Sequence, residues 1–575
     1  MVHLHLDLTA PEQHLVHVSL RLQPRLPSLR LSLPAWTPGS YLIRDYVRHL
    51  EDLTAEQGGR PLVLRRLSPA SWQLELDGSD GELVIRYRIL ATELSVRTCH
   101  LDADHGFLAM AAVALEVEGE RWQPHQLSCS LPAGWQPFIP LPQDSQGHWQ
   151  ARDFDQLLDT PLELGPHRCH GFSVAGVPHR WVTWGGQAGA DDWLLRRFPS
   201  LLEDVARVCE ACCRLMGVGQ PAADSYLFVL HLLADGYGGL EHDASTVLVY
   251  GRRNFDKPNG YRKFLQLVAH EYLHQWNVRR LKPRELAPID YQQPSIIPSL
   301  WFAEGVTSYL DQLLPLAAGL SSPEDLLDDL GEDLSRYLLT PGRSVQSLRS
   351  SSEEAWVKLY RADAYAPDSQ VSYYLKGAVV ALCLDLHLRQ RGASLVLVLR
   401  ELWQSHGRWG RGYSEADLVE AFASHSPELR ERLPQWLAQR QDPDLNSTLQ
   451  TVGLLLQPVM ASSAWAGFSC RSEQQGLVAH RVHRHGPAEA AGLMVGDELI
   501  ALDGERLHSS DQLAPLLRSD GDQELLIARR SQIRRLCLHC QPARPERYQL
   551  LRDPAATADA LQRQQRWLAL SEVPW

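Results

Sequence analysis

The sequence predicts a multidomain α+β protein: an N-terminal antiparallel β-sandwich, a mixed sheet with a helical lobe, and a compact C-terminal unit. Three observations carry this. A chain of 575 residues is longer than one hydrophobic core serves. Period-two alternation dominates residues 1–165, and helical periodicity dominates residues 261–440. The composition, 44% hydrophobic and 22% charged, is that of a folded globular protein. A net charge of −13 advertises no basic face, so nucleic acid is not an expected partner.

The strand pattern begins at once, with Val2, Leu4 and Leu6 alternating with polar neighbours. No basic stretch leads into an apolar one, and no run approaches the roughly 18 apolar residues of a membrane span, so a cytoplasmic location without membrane attachment is expected. Short alternating runs at 16–22, 72–76 and 83–89, separated by Pro, Gly and Asp, account for the sandwich. The segment Trp36-Thr37-Pro38-Gly39-Ser40-Tyr41 reads as a turn with an aromatic anchor, without a catalytic role.

Beyond residue 166 an amphipathic helix is expected over 198–216, with strands at 226–233 and 246–250. Two Cys-x-x-Cys pairs, Cys209/Cys212 and Cys537/Cys540, each stand alone. A zinc ribbon needs both pairs together, so these are read as core cysteines and all ten as reduced thiols. A boundary is expected between 440 and 460, before another alternating unit, and a helix near 555–570. The expected domains are 1–165, 166–445, 446–545 and a C-terminal tail, 546–575.

The chemistry concentrates in His270-Glu271-Tyr272-Leu273-His274. Residues four apart share a helix face, so both imidazoles can reach one metal ion. Glu271, aimed differently, is placed to take a proton from water on that metal. Downstream, Trp301-Phe302-Ala303-Glu304-Gly305 opens a second helical pattern, and a carboxylate among such apolar neighbours is costly to bury unless paired or metal-bound. His270, His274 and Glu304 make a three-ligand set with one position open, as catalytic zinc requires.

Residues 270–283 and 300–309 closely resemble the glycyl aminopeptidase family, gluzincin metallopeptidases with a C-terminal PDZ domain, whose relatives include the alanyl aminopeptidases and leukotriene A4 hydrolase. The resemblance implies a thermolysin-like catalytic domain holding one zinc ion and acting on peptides with a free N-terminus. Gly238-Gly239-Leu240-Glu241-His242 resembles the relatives' exopeptidase segment, in which the Glu binds the substrate's α-ammonium; here Leu240 and His242 depart from Met and Asn. A carboxylate beside the scissile position rewards a charged N-terminus, and paired glycines let a peptide backbone approach closely. Tyr373-Tyr374-Leu375-Lys376-Gly377 resembles the element whose tyrosine steadies the oxyanion; aligning on Lys-Gly points to Tyr374, with Tyr373 as the alternative. Residues 486–504 resemble a PDZ core, and Trp465-Ala466-Gly467-Phe468 stands where its carboxylate-binding loop would be, which makes a C-terminal peptide a possible ligand. The family's preference implies small first residues, Gly or Ala. The alternatives are a PDZ-guided endopeptidase and a non-catalytic peptide-binding scaffold that keeps the zinc fold.

Overall fold

The computed structural model describes residues 1–76, 78, 81–186, 192–474 and 476–570; the last five residues of the expected tail lie outside them. The N-terminal unit is built on a seven-stranded sheet, faced by two four-stranded sheets around a shared apolar core. Alternation puts Val16, Val18, Leu20 and Leu22 of strand Leu15–Leu22 inside and their neighbours towards solvent. The sandwich departs from the all-antiparallel expectation at one pair, where Val2–Asp7 runs parallel to His125–Ser130. Parallel partners require a long crossover, here most of the domain, and periodicity within a strand carries no record of it.

The second unit holds a five-stranded sheet in the order Cys169–Val174, Val177–Gly185, Tyr226–Leu233, Ser245–Gly251, Tyr237–Glu241. Its two inner pairings are parallel and the outer two antiparallel, so Tyr237–Glu241 is an edge with one side unpaired. Helix Leu201–Met216 covers this sheet with Val205, Val208, Cys209 and Cys212 buried. All ten cysteines are free, as the spacing suggested. The helical lobe follows, and Gly260–Leu273, Val306–Ala317 and Tyr373–Arg389 are the helices that carry the site.

The long connection after Arg279 packs against the N-terminal unit. Arg279 is held by Asp159 at 2.8 Å and Asp243 at 3.0 Å, and the carbonyl of Asp290 accepts a hydrogen bond from the Trp36 indole. After residue 453 the strands Leu454–Met460 and Pro545–Arg552 pair as an antiparallel ribbon, with a separate small β domain and its own core between them. The chain then returns to the lobe as helix Ala558–Leu568. Its Trp567 is fully buried and donates its indole N–H to the Tyr309 hydroxyl at 2.8 Å. Burying an aromatic of this size stabilises by about 1.5–3 kcal/mol. No helix among the described residues is long and apolar enough to cross a membrane.

Candidate active site

Helix Gly260–Leu273 buries Phe264, Leu267 and Val268 in the lobe's core, which turns His270 and His274 towards a cleft of about 790 Å³. The helix ends at His274, whose amide closes its last turn. Glu304 sits in a π-helical turn, Trp301–Gly305, rather than in the regular helix expected, which begins at Val306. Such turns recur at functional sites because the extra residue re-aims a side chain.

The three side chains converge. Glu304 Oε2 lies 3.5 Å from His270 Nε2 and 3.2 Å from His274 Nε2. The opposite nitrogens are engaged: His270 Nδ1 lies 2.8 Å from Asp311 Oδ2, and His274 Nδ1 lies 2.6 Å from the carbonyl oxygen of Asn277. A carbonyl can only accept, so His274 carries its proton on Nδ1. Burial pushes both imidazoles down, but Asp311 and Glu304 outweigh it at His270 and Glu304 at His274, so both rings are raised above the ordinary value and a cation, proton or metal, is favoured between them and the carboxylate. Burial pushes the Glu304 carboxyl up, but His274 and His270 outweigh it and hold it at about 2. Two imidazoles, each held from behind by Asp311 or the Asn277 carbonyl and able to give up a proton to a metal, and an ionised carboxylate fit zinc.

Glu271 faces the same space. Burial dominates its ionisation and, with the carboxylates of Glu241 and Glu304, outweighs the two histidines, lifting it to about 7. Ligand atoms of Glu241, Glu271 and His274 all lie within 4.8 Å of one another. Glu241 Oε1 and Glu271 Oε2 are buried without a hydrogen-bond partner. Two glycines make room for these acids. A Cβ on Gly239 would overlap the Glu271 carboxylate, and one on Gly39 would lie 2.6 Å from Glu241 Oε1, at a φ of +80°.

Gly238, Gly239 and Glu241 line the cleft. His242 does not join them: its Nδ1 lies 3.0 Å from Asp159 Oδ1, beside Arg279. Successive residues of extended chain point to opposite sides, so the residue after Glu241 is carried away from the cleft. Tyr374 lines the cleft with its ring 6.4 Å from that of His270, whereas Tyr373 is wholly buried. The Tyr374 hydroxyl lies 3.1 Å from that of Tyr360.

The sequence reading missed Asp311, Asn277, Arg97, Tyr360 and the closeness of Gly39 to Glu241. Asp311 had a signal, since it stands two helical turns after Glu304 on the same face. Asn277 had none: its amide donates to the carbonyls of Phe302 and Ala303 at 3.2 Å, tying the His274 turn to the Glu304 turn. Arg97 reaches from the N-terminal unit to the Gly239 carbonyl at 3.1 Å.

In the small β domain, Trp465 pairs with Gln541 in both backbone directions, at 2.8 and 3.0 Å. The carbonyls of Ala466 and Gly467 accept from Ala488 and His483, and Phe468 opens strand Phe468–Glu473.

Comparisons with known proteins agree in their outline. A model of the Peptidase M61 N-terminal domain matches residues 3–166, one of M61 glycyl aminopeptidase matches residues 263–380, and a PDZ domain model matches residues 478–530. The crystal structure of an aminopeptidase N family protein from Idiomarina loihiensis is similar with a TM-score of 0.91 at 29% identity, covering 99% of this chain and 100% of that one. Legionella pneumophila aminopeptidase A in complex with aspartic acid shares the fold at a TM-score of 0.50 and 11% identity, over 95% of this chain and 57% of that one. An M1 zinc metallopeptidase from Deinococcus radiodurans matches at 0.49 and 17%, over 77% of this chain and 94% of that one. Among curated proteins none matches.

Proposed function

We propose that this metallopeptidase, which models of the Peptidase M61 N-terminal domain and of M61 glycyl aminopeptidase match, removes single residues from the free N-termini of peptides, preferring Gly and Ala. One observation carries the exopeptidase reading: on the edge strand beside the ligand set, the buried Glu241 offers a carboxylate oxygen without a partner. A substrate α-ammonium is the cation of matching size and position.

His270, His274 and Glu304 would hold zinc, which when bound would supply Lewis acidity towards the scissile carbonyl and acidify water. The chain's own residues do the rest. The unpaired side of Tyr237–Glu241 takes the substrate backbone as an added strand, with Gly238 and Gly239 permitting close approach. Glu241 holds the α-ammonium and so registers the first peptide bond. Glu271 accepts the proton of the attacking water and passes it to the leaving amine, a role favoured by an unpartnered carboxylate oxygen facing the ligand set. Tyr374 donates a hydrogen bond to the developing oxyanion, a contribution of about 100-fold or more. A peptide C-terminus on the PDZ loop, and the reducing cytoplasm that ten free cysteines suit, belong to the same proposal.

The test is hydrolysis of Gly-, Ala- and Leu-p-nitroanilide before and after chelation, with metal content measured. The expected result is turnover of the Gly and Ala substrates, lost with chelator and restored by one equivalent of zinc at the catalytic ligands. Turnover that persists after the metal is removed contradicts the proposal, and preference for Leu contradicts the small-residue part.

A further inference from the structure

A second group of His and Glu side chains lies outside the lining of the cleft, where the four-stranded sheet containing Pro161–Gly165 meets the catalytic five-stranded sheet. Glu163, on Pro161–Gly165, is completely buried. His231 of Tyr226–Leu233, also completely buried, places Nε2 2.9 Å from Glu163 Oε2. His167 brings its Nε2 to 2.8 Å from Glu163 Oε1, off the line of a hydrogen bond. Gly165 makes that approach possible, because a Cβ there would overlap the His167 ring.

His105 completes the group. It sits in the turn between Cys99–Leu101 and Gly106–Ala109, fully buried, with its ring stacked 3.7 Å from Trp184. Neither of its ring nitrogens has a hydrogen-bond partner. The nearest carboxylate on its own turn, Asp102, stays 3.8 Å from Nδ1 and is occupied by the amides of Asp104 and His105 and by His100. His231 Nδ1 is likewise buried and unpartnered. Ligand atoms of His105, Glu163 and His231 fall within 4.8 Å of one another.

A hydrogen-bonded network explains Glu163 with His231, but it strands His105, whose buried nitrogens would be desolvated for nothing. A cation explains all four. We propose that His105, Glu163, His167 and His231 form a second, structural site for a zinc-like divalent cation that pins the N-terminal unit to the catalytic sheet. Three imidazoles and a carboxylate are borderline donors that suit zinc, and four protein ligands leave no open position, as structural sites require. Donor atoms around tetrahedral zinc stand about 3.3 Å apart, so the three ligand atoms within 4.8 Å would draw together and His167, whose ring stands 6.0 Å from that of His105, would turn onto the same point. None of the four residues lines the catalytic cleft, so the site is assigned no part in turnover.

Metal stoichiometry of the full chain tests this. The protein is loaded with zinc, dialysed against metal-free buffer and analysed by atomic emission. Parallel samples carry His270→Ala with His274→Ala, or His105→Ala. Two equivalents are expected in the unsubstituted chain and one in each variant, with cobalt in the double variant giving the intense visible bands of a tetrahedral site. One equivalent in the unsubstituted chain and none in the double variant would overturn the proposal. So would two equivalents retained by His105→Ala. The first comparison leaves the second cluster intact, so it decides the matter even if His105→Ala fails to fold.

Discussion

A methyl group on Gly239 would occupy the space of the Glu271 carboxylate, although the two residues lie on a strand and a helix far apart in sequence. If Glu271 moves the protons, Glu271→Gln should lower kcat by about 10²–10⁴-fold while zinc content is unchanged. Gly239→Ala should reproduce that loss by displacing the acid, again with metal retained. Near-normal turnover in both variants, read beside zinc content, would remove Glu271 from the mechanism. The contrast in legibility is physical. His270, Glu271 and His274 were readable because helix geometry couples residues four apart. The packing of Gly39 on Glu241 was not, because it arises where two domains close and leaves no periodic trace.

Among the elements, the seam between the Glu304 turn and helix Tyr373–Arg389 decides where Tyr374 stands. Gly305 and Gly377 meet backbone to backbone, and a Cβ on Gly377 would lie 2.9 Å from both the Gly305 Cα and the Trp301 carbonyl oxygen. Gly377→Ala should therefore push the two elements apart. A stability loss of about 1–3 kcal/mol in denaturant unfolding is expected, with a fall in kcat as Tyr374 retreats. Wild-type stability and turnover would mean that the seam is not a constraint. The Lys376-Gly377 pattern pointed to this helix without revealing why glycine is needed. The π-helical turn was equally hidden, because its sequence reads as ordinary helix and tertiary packing selects the extra residue. The turning away of His242 needed only strand alternation, and could have been anticipated once Glu241 was placed.

For the molecule as a whole, hydrophobic periodicity made the order of β-rich, helical and C-terminal units legible, whereas the return of the chain to the lobe was not. Met460 pairs with Pro545 at the end of the ribbon, so the PDZ domain enters and leaves at neighbouring points. Its polar reach to the lobe includes Arg481 at 3.4 Å from Asp368. Replacing residues 461–544 with a short turn should therefore leave nitroanilide hydrolysis within about threefold, since the metal ligands and their orienting partners all lie outside the excised domain. Loss of activity in a folded excision variant would show that the PDZ domain shapes the cleft. The N-terminal unit is different: it supplies Gly39 and Arg97 to the site, so it is part of the active centre's architecture.

The account turns on a carboxylate that reads the substrate's first amine, and the most direct measurement compares Ala-p-nitroanilide with its N-acetylated form on the zinc-loaded enzyme. The free amine should be hydrolysed about 10–100-fold faster or more, the worth of a charge-assisted hydrogen bond, and Glu241→Gln should shrink that ratio without loss of zinc. Equal rates on the two substrates, or a ratio indifferent to Glu241→Gln, would contradict it.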